Sequence, residues 1–98
     1  MIRQLLTLLT LAACASPSIE YTGAPSRALS VNSWEITVFR RADRVQAIRT
    51  NTVWGASKQD MQINGAIAIT EVTGCRVDRR SFTGDAVILN AKLICDPR

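Results

Sequence analysis

The chain has 98 residues, with 12 Lys and Arg against 8 Asp and Glu, three cysteines and no histidine, for a formal net charge of +4. This length holds one small domain and excludes a multi-domain enzyme. The absence of histidine excludes nucleophile activation of the Ser-His-Asp or Cys-His type. It also excludes most zinc and haem ligation.

The first thirteen residues, MIRQLLTLLTLAA, combine an early positive charge at Arg3 with a short apolar stretch from Leu5 to Leu11. A helix that spans a bilayer takes about 20 apolar residues, so this stretch is too short. A charged start followed by a short apolar core and small residues is typical of a cleaved signal peptide. Residues 1–13 are therefore predicted to be a signal peptide.

The next residue gives the signal peptide a specific form. Leu11-Ala12-Ala13-Cys14 resembles the lipobox of bacterial lipoproteins. The resemblance implies that Cys14 is thioether-linked to diacylglycerol, becomes the mature N-terminus and anchors the protein on the periplasmic side of the cell envelope. The thiol is a suitable nucleophile for the lipid, and two or more acyl chains, such as palmitate, anchor stably. The alternative is an ordinary signal peptide in which Cys14 is incidental.

The residue after Cys14 indicates which membrane the lipoprotein reaches. It is Ala15 rather than Asp. By the sorting rule of enterobacterial lipoproteins, this implies the outer rather than the inner membrane.

The segment after the anchor is predicted to be a tether. Residues 14–32 contain two of the three prolines and several Ser, Thr and Gly, a composition typical of linkers. The alternative is an N-terminal arm in which Tyr21 or Leu29 packs on the domain. Residues 33–98 then form the domain.

Two cysteines remain for a cross-link once Cys14 carries the lipid. A domain this small is marginal without a further constraint, and an even pair in an exported protein predicts a disulfide between Cys75 and Cys95. The alternatives are two free buried thiols or, least favoured, a zinc site. A hairpin with these cysteines opposite each other turns at Gly84-Asp85-Ala86. Its implied pairs are Val77 with Leu93, Asp78 with Lys92, Arg79 with Ala91, Ser81 with Leu89, and Thr83 with Val87.

Two further segments complete the predicted fold. Residues 34–50 alternate apolar and polar side chains and predict another hairpin, whose register stays open. Residues 57–74 allow either a hairpin at Asn64-Gly65 or a helix capped by Ser57 and ended by Gly74. We favour the helix because it covers the sheet. The predicted fold is α+β: a two-layer sandwich ordered strand-strand-helix-strand-strand, with one helix on an antiparallel sheet and one disulfide.

Candidate binding residues are basic or aromatic. Arg40, Arg41 and Arg44, together with Arg49, are predicted to cluster around the first hairpin turn, and one interpretation is that they contact an anionic envelope surface. A second basic run, Arg76, Arg79 and Arg80, lies along the strand that follows the helix. The interpretation that we favour for both groups is a solvated edge whose arginines prevent strand-to-strand aggregation. Trp54 is the candidate exposed binding residue, whereas alternation places Trp34 in the core.

The sequence offers no catalytic residues, no metal ligands and no cofactor site. Its carboxylates are scattered, and no histidine is present to activate a serine. Nucleic acid is not an expected partner, because export removes the protein from it and no basic motif is interleaved with aromatic residues. These features predict a protein that is not an enzyme.

The predicted function follows from the anchor and the small domain. We expect a membrane-anchored envelope lipoprotein with a non-catalytic binding or structural domain. Its partner, beyond the membrane reached through Cys14, is an envelope protein or an anionic cell-wall or lipid surface. The alternative is an inhibitor or immunity lipoprotein that acts on a cell-wall-degrading enzyme.

Overall fold

The computed structural model describes residues 19–95, so the predicted signal peptide and Cys14 lie outside the described residues. One helix packs on a five-stranded antiparallel sheet with strand order β1-β2-β3-β5-β4. Its elements are, in chain order, a 3₁₀ helix Ile19–Tyr21, β1 Ser26–Val31, β2 Trp34–Arg41, β3 Arg44–Arg49, α1 Lys58–Thr73, β4 Arg76–Gly84 and β5 Ile88–Ile94. The predicted α+β fold is confirmed, but three strands rather than two precede the helix.

The additional strand, β1, lies inside the predicted tether. It pairs with β2 along its whole length, and Tyr21, further upstream, is only 2% exposed. The tether interpretation is therefore wrong for this part of residues 14–32, and the N-terminal arm is confirmed. Only Leu29 and Val31 of β1 face the helix, which is too few apolar residues to predict a strand. The strand forms because Asn32 and Ser33, both at positive φ, make a two-residue turn onto β2.

The core lies between α1 and one face of the sheet. Its centre consists of side chains with at most 1% exposure, which include Ile36 and Val38 of β2, Met61 and Ile69 of α1, and Leu89 of β5. Trp34 also belongs to this cluster, as alternation predicts. The helix therefore covers one face of the sheet.

The helix begins and ends where its caps predict. The Asp60 amide donates to Ser57 Oγ at 3.0 Å, the Ser57 amide donates to the Asp60 carboxylate at 3.3 Å, and Gly74 ends the helix at φ 73°. The competing turn pair, Asn64-Gly65, lies on the buried face instead. A Cβ on Gly65 would stand 2.8 Å from Leu89 Cδ2, so this glycine allows the helix to approach the sheet closely.

The β4–β5 hairpin contains the predicted Cys75–Cys95 disulfide. The predicted register holds near the disulfide, where Val77 faces Leu93 and Asp78 faces Lys92, but it then shifts. From there the predicted pairs are wrong, since Thr83 faces Asn90 and Gly84 faces Leu89.

A bulge between Asp78 and Thr83 causes the shift. Ser81 Oγ donates to the Asp78 carbonyl at 2.6 Å and accepts from the Lys92 amide at 2.8 Å. The serine side chain thereby takes the place of a ladder carbonyl, and the intervening residues loop out. The turn consequently falls at residues 85–87 instead of 84–86.

Asp85 stabilises this turn through its carboxylate, which accepts the amides of Val87 at 2.8 Å and Ile88 at 2.9 Å. These two hydrogen bonds hold the pKa of Asp85 below its ordinary value. We expect Asp85→Ala to lower the free energy of unfolding at pH 7 by about 1 kcal/mol. Urea denaturation measures this difference.

The effect should depend on pH. Because the folded state has the lower pKa, the contribution of Asp85 is present above about pH 4, the ordinary carboxyl range, and is lost as the pH falls through the folded pKa. The difference between wild type and Asp85→Ala should therefore shrink in acid. Asp43→Ala is the control, since the Asp43 carboxylate accepts no hydrogen bond from residues 19–95. An equal difference at pH 7 and at about pH 3 would contradict the assigned role.

Candidate functional site

The predicted binding residues lie at opposite ends of the sheet. Arg40, Arg41 and Arg44 flank the β2–β3 turn, whereas Trp54 follows the far end of β3. Arg44 and Arg49 begin and end β3 and are separated by about 17 Å of extended chain. The structure therefore does not bring Trp54 and the basic turn together, and the placement of Arg49 with that turn is wrong.

The arginines of the β2–β3 turn hold neighbouring backbone. Arg40 Nε donates to the Ala42 carbonyl at 2.9 Å, and Arg41 Nε donates to the Glu20 carbonyl at 2.8 Å. Arg44 forms an exposed ion pair with Glu20 at 3.9 Å. Tyr21 is buried beside this pair, and burial raises its pKa. Arg41 and Arg44 thus hold the N-terminal segment against the sheet. The guanidinium groups of this turn stay close to the surface.

The loop that carries Trp54 presents the indole to solvent. Trp54 is 94% exposed, whereas Val53 and Ala56 on either side pack against the core. Arg49 supports this end of the sheet, since its guanidinium lies over the Trp34 ring at 5.4 Å and donates to the carbonyls of Asn51 and Ala86. The predicted exposure of Trp54 is confirmed, and Arg49 has a structural role.

A groove between the helix and the edge strand is a second surface. It consists of two adjoining cavities of about 450 and 400 Å³, a size typical of ligand sites. Ala66, Ile67, Arg79 and Phe82 line both cavities. We call this surface the α1–β4 groove and define it by Ile63, Ala66, Ile67, Val77, Arg79 and Phe82.

The α1–β4 groove combines exposed apolar side chains with positive charge. Ile63 is 54% exposed and Ile67 is 42% exposed. Arg76 and Arg79 line the groove, and Glu71 is its one lining carboxylate among the described residues. The side chains of these two arginines form no hydrogen bond or ion pair with residues 19–95. The guanidinium groups of Arg76 and Arg79 are therefore not held in ion pairs within the described domain, although the Glu71 carboxylate shares the groove with them.

Sequence reasoning placed Arg76 and Arg79 along a strand but missed the groove. The available signal was the spacing of Ile63 and Ile67, which puts two isoleucines one turn apart on a helix. This spacing places the two isoleucines on one face only if residues 57–74 form a helix rather than a hairpin that turns at Asn64-Gly65. The bulge that positions Arg79 and Phe82 has no comparable sequence signal.

Among residues 19–95, no three His, Cys, Asp or Glu side chains are grouped to hold a metal ion. The described helices include none with the length and apolar character needed to cross a membrane. Comparison of the chain with protein-family models, with curated proteins and with solved structures gave no match.

Proposed function

We propose that the protein is a bacterial envelope lipoprotein whose domain is a non-catalytic binding module. The diacylglyceryl group on Cys14 anchors it on the periplasmic side, at the outer rather than the inner membrane. The observation that carries the proposal is the motif Leu11-Ala12-Ala13-Cys14, followed closely by a disulfide-bonded domain. A structural disulfide supports export, because such bonds persist in oxidising compartments.

The position of the domain relative to Cys14 adds to the proposal. The described domain begins at Ile19, so five residue steps separate it from the anchor and span at most about 18 Å. An anchored domain therefore stays close to the headgroups. Its N-terminal segment and the basic β2–β3 turn lie on the membrane side, where Arg40 can meet anionic headgroups at about 1 kcal/mol per nearby charge.

The N-terminal segment and the α1–β4 groove lie on opposite faces of the sheet. Tyr21 lies with Asn90 and Lys92, which alternate with the core residues Leu89 and Ala91 and so point to the sheet face opposite α1. The described chain therefore begins on the sheet face that α1 leaves uncovered, and the α1–β4 groove lies on the side that carries α1. This arrangement leaves the groove uncovered by the N-terminal segment, which supports a binding module.

A non-catalytic role is the simplest use of these residues. The chain contains no histidine, and exposed apolar side chains next to arginines are typical of protein-binding surfaces. The groove also supports the second candidate, an inhibitor of a cell-wall-degrading enzyme, since an inhibitor needs a protein-binding surface. Removal of the signal peptide takes Arg3 and leaves 11 Lys and Arg against 8 Asp and Glu, and this excess positive charge opposes rapid association with a cationic target. A panel of wall hydrolases assayed with micromolar protein tests this candidate, which fails if none is inhibited.

The anchor is tested with the full chain expressed in a bacterium and labelled with radioactive palmitate. We expect wild type to carry the label in the membrane fraction and Cys14→Ser to carry none and to keep its signal peptide, since the acceptor thiol is gone. Ser16→Ala is the matched control and should behave as wild type. An unlabelled wild type, together with a Cys14→Ser chain that is cleaved and soluble in the periplasm at wild-type levels, would overturn the anchor.

A further inference from the structure

We infer that the α1–β4 groove binds a segment of a partner protein in which apolar side chains alternate with carboxylates. This inference names the partner chemistry for the binding role proposed above and rests on that role, but it does not depend on the lipid anchor. The groove follows α1 from Gln59 to Glu71, a distance of about 18 Å. About six residues of extended chain cover that length.

The apolar part of the recognition comes from both walls. Ile63 and Ile67 on the helix expose about half of their surface, at 54% and 42%. Phe82 and Val77 on β4 are partly buried and pack against the core cluster, so this wall is held in place. A partner side chain that enters the groove therefore removes exposed isoleucine from water without reordering the opposite wall.

The charged part of the recognition is basic. Arg79 lines both cavities and Arg76 lines one of them, while Arg80 follows Arg79 within the bulge. The bulge is fixed by the hydrogen bonds of Ser81 described above and by the Arg80 amide, which donates to the Asp78 carboxylate at 3.0 Å. Guanidinium groups recognise carboxylates through paired hydrogen bonds. The groove thus complements an acidic segment.

The charge also argues against a second copy of this chain as the occupant. Two α1–β4 grooves brought face to face would place the arginines of one copy against those of the other, and such like-charge contacts oppose association. An acidic partner segment removes this repulsion.

The probe is a set of fluorescent peptides of about six residues, the length that follows the groove in extended form. One alternates Leu and Glu, the second replaces Leu by Ser, and the third replaces Glu by Lys. Each is titrated onto the mature protein as cells process it, held in phosphatidylcholine nanodiscs where it is acylated. We expect the Leu/Glu peptide to bind with a Kd at least about tenfold lower than either of the others, roughly the effect of one good contact.

Matched variants locate the binding. Ile67→Asp and Arg79→Glu should each raise the Kd of the Leu/Glu peptide about tenfold or more. Val87→Ala and Arg27→Glu change an exposed apolar side chain and an exposed arginine outside the groove and should leave the Kd unchanged. Circular dichroism verifies that each variant is folded. Methyl NMR of wild type gives a second readout, in which the signals of Ile63 and Ile67 should shift on binding.

Several outcomes would overturn the inference. Equal affinity for the three peptides, or unchanged binding by both groove variants, would contradict it. Binding to phosphatidylglycerol vesicles that is lost in Ile67→Asp, without peptide binding, would assign the groove to a lipid surface instead. The peptide titration is independent of acylation, so an unlabelled Cys14 with intact peptide discrimination would overturn the anchor alone.

Discussion

Replacing Cys75 and Cys95 together by serine is expected to lower the free energy of unfolding by about 3 kcal/mol. The disulfide joins residues 20 positions apart, and a closed loop of this length removes much of the conformational freedom of the unfolded chain. In a domain of this size the loss corresponds to a fall in Tm of about 12–24 °C. Thermal and urea unfolding, followed by circular dichroism, measure both quantities.

The controls for this prediction separate the cross-link from the loss of a thiol. Cys75→Ser and Cys95→Ser each break the cross-link but keep one of its thiols, and each should lower Tm about as much as the double variant. Alkylation of the unreduced wild type should modify neither Cys75 nor Cys95. Two alkylatable thiols in this region, or a double variant as stable as wild type, would contradict the stabilising role of the disulfide.

Gly84→Ala is expected to lower the free energy of unfolding by about 3 kcal/mol, because both the backbone conformation and the close packing at this residue disfavour a side chain. Gly84 has φ +129°, a conformation that residues with a side chain rarely adopt, and an added Cβ would overlap the Ile88 carbonyl oxygen. Backbone on both sides of the turn must move to relieve this overlap. Urea denaturation gives the change in unfolding free energy.

Gly74→Ala is the matched control for this substitution. Gly74 also has positive φ, at +73°, but nothing lies within 4 Å of its added Cβ. Its substitution should cost only the conformational penalty of about 1–2 kcal/mol. A Gly84→Ala variant that is no less stable than Gly74→Ala would show that the close approach to Ile88 does not constrain the turn.

The elements that the sequence predicts well carry their information locally. The helix is bounded by Ser57, Asp60 and Gly74, each of which satisfies a backbone requirement within a few residues. The β4–β5 hairpin is specified near Cys75 and Cys95 because the cross-link fixes one end of the register. Both signals can be recognised without knowledge of the rest of the fold.

The elements that were missed depend on their neighbours. β1 is stable because β2 lies beside it and the Asn32-Ser33 turn joins them, although the sequence of β1 alone is typical of a linker. The bulge arises because Ser81 hydrogen-bonds to both Asp78 and Lys92, a three-way contact that no periodicity predicts. Both features come from tertiary context.

The candidate site was likewise predictable only in part from the sequence. The exposure of Trp54 follows from its place in a polar loop and could be predicted. The separation of Trp54 from Arg40 could not, because it depends on the direction and length of β3. The α1–β4 groove required both the choice of helix and the position of the bulge, so its residues are distant in sequence and share no motif.

The most direct test of the proposed lipoprotein is the mass spectrum of the mature N-terminal peptide, taken from separated inner and outer membranes. We expect a peptide that begins at Cys14 and carries diacylglycerol with further acyl mass, recovered mainly from the outer membrane. A free N-terminus at Ala15 or beyond, in the soluble periplasmic fraction, would contradict the anchor and make Cys14 an incidental residue of an ordinary signal peptide.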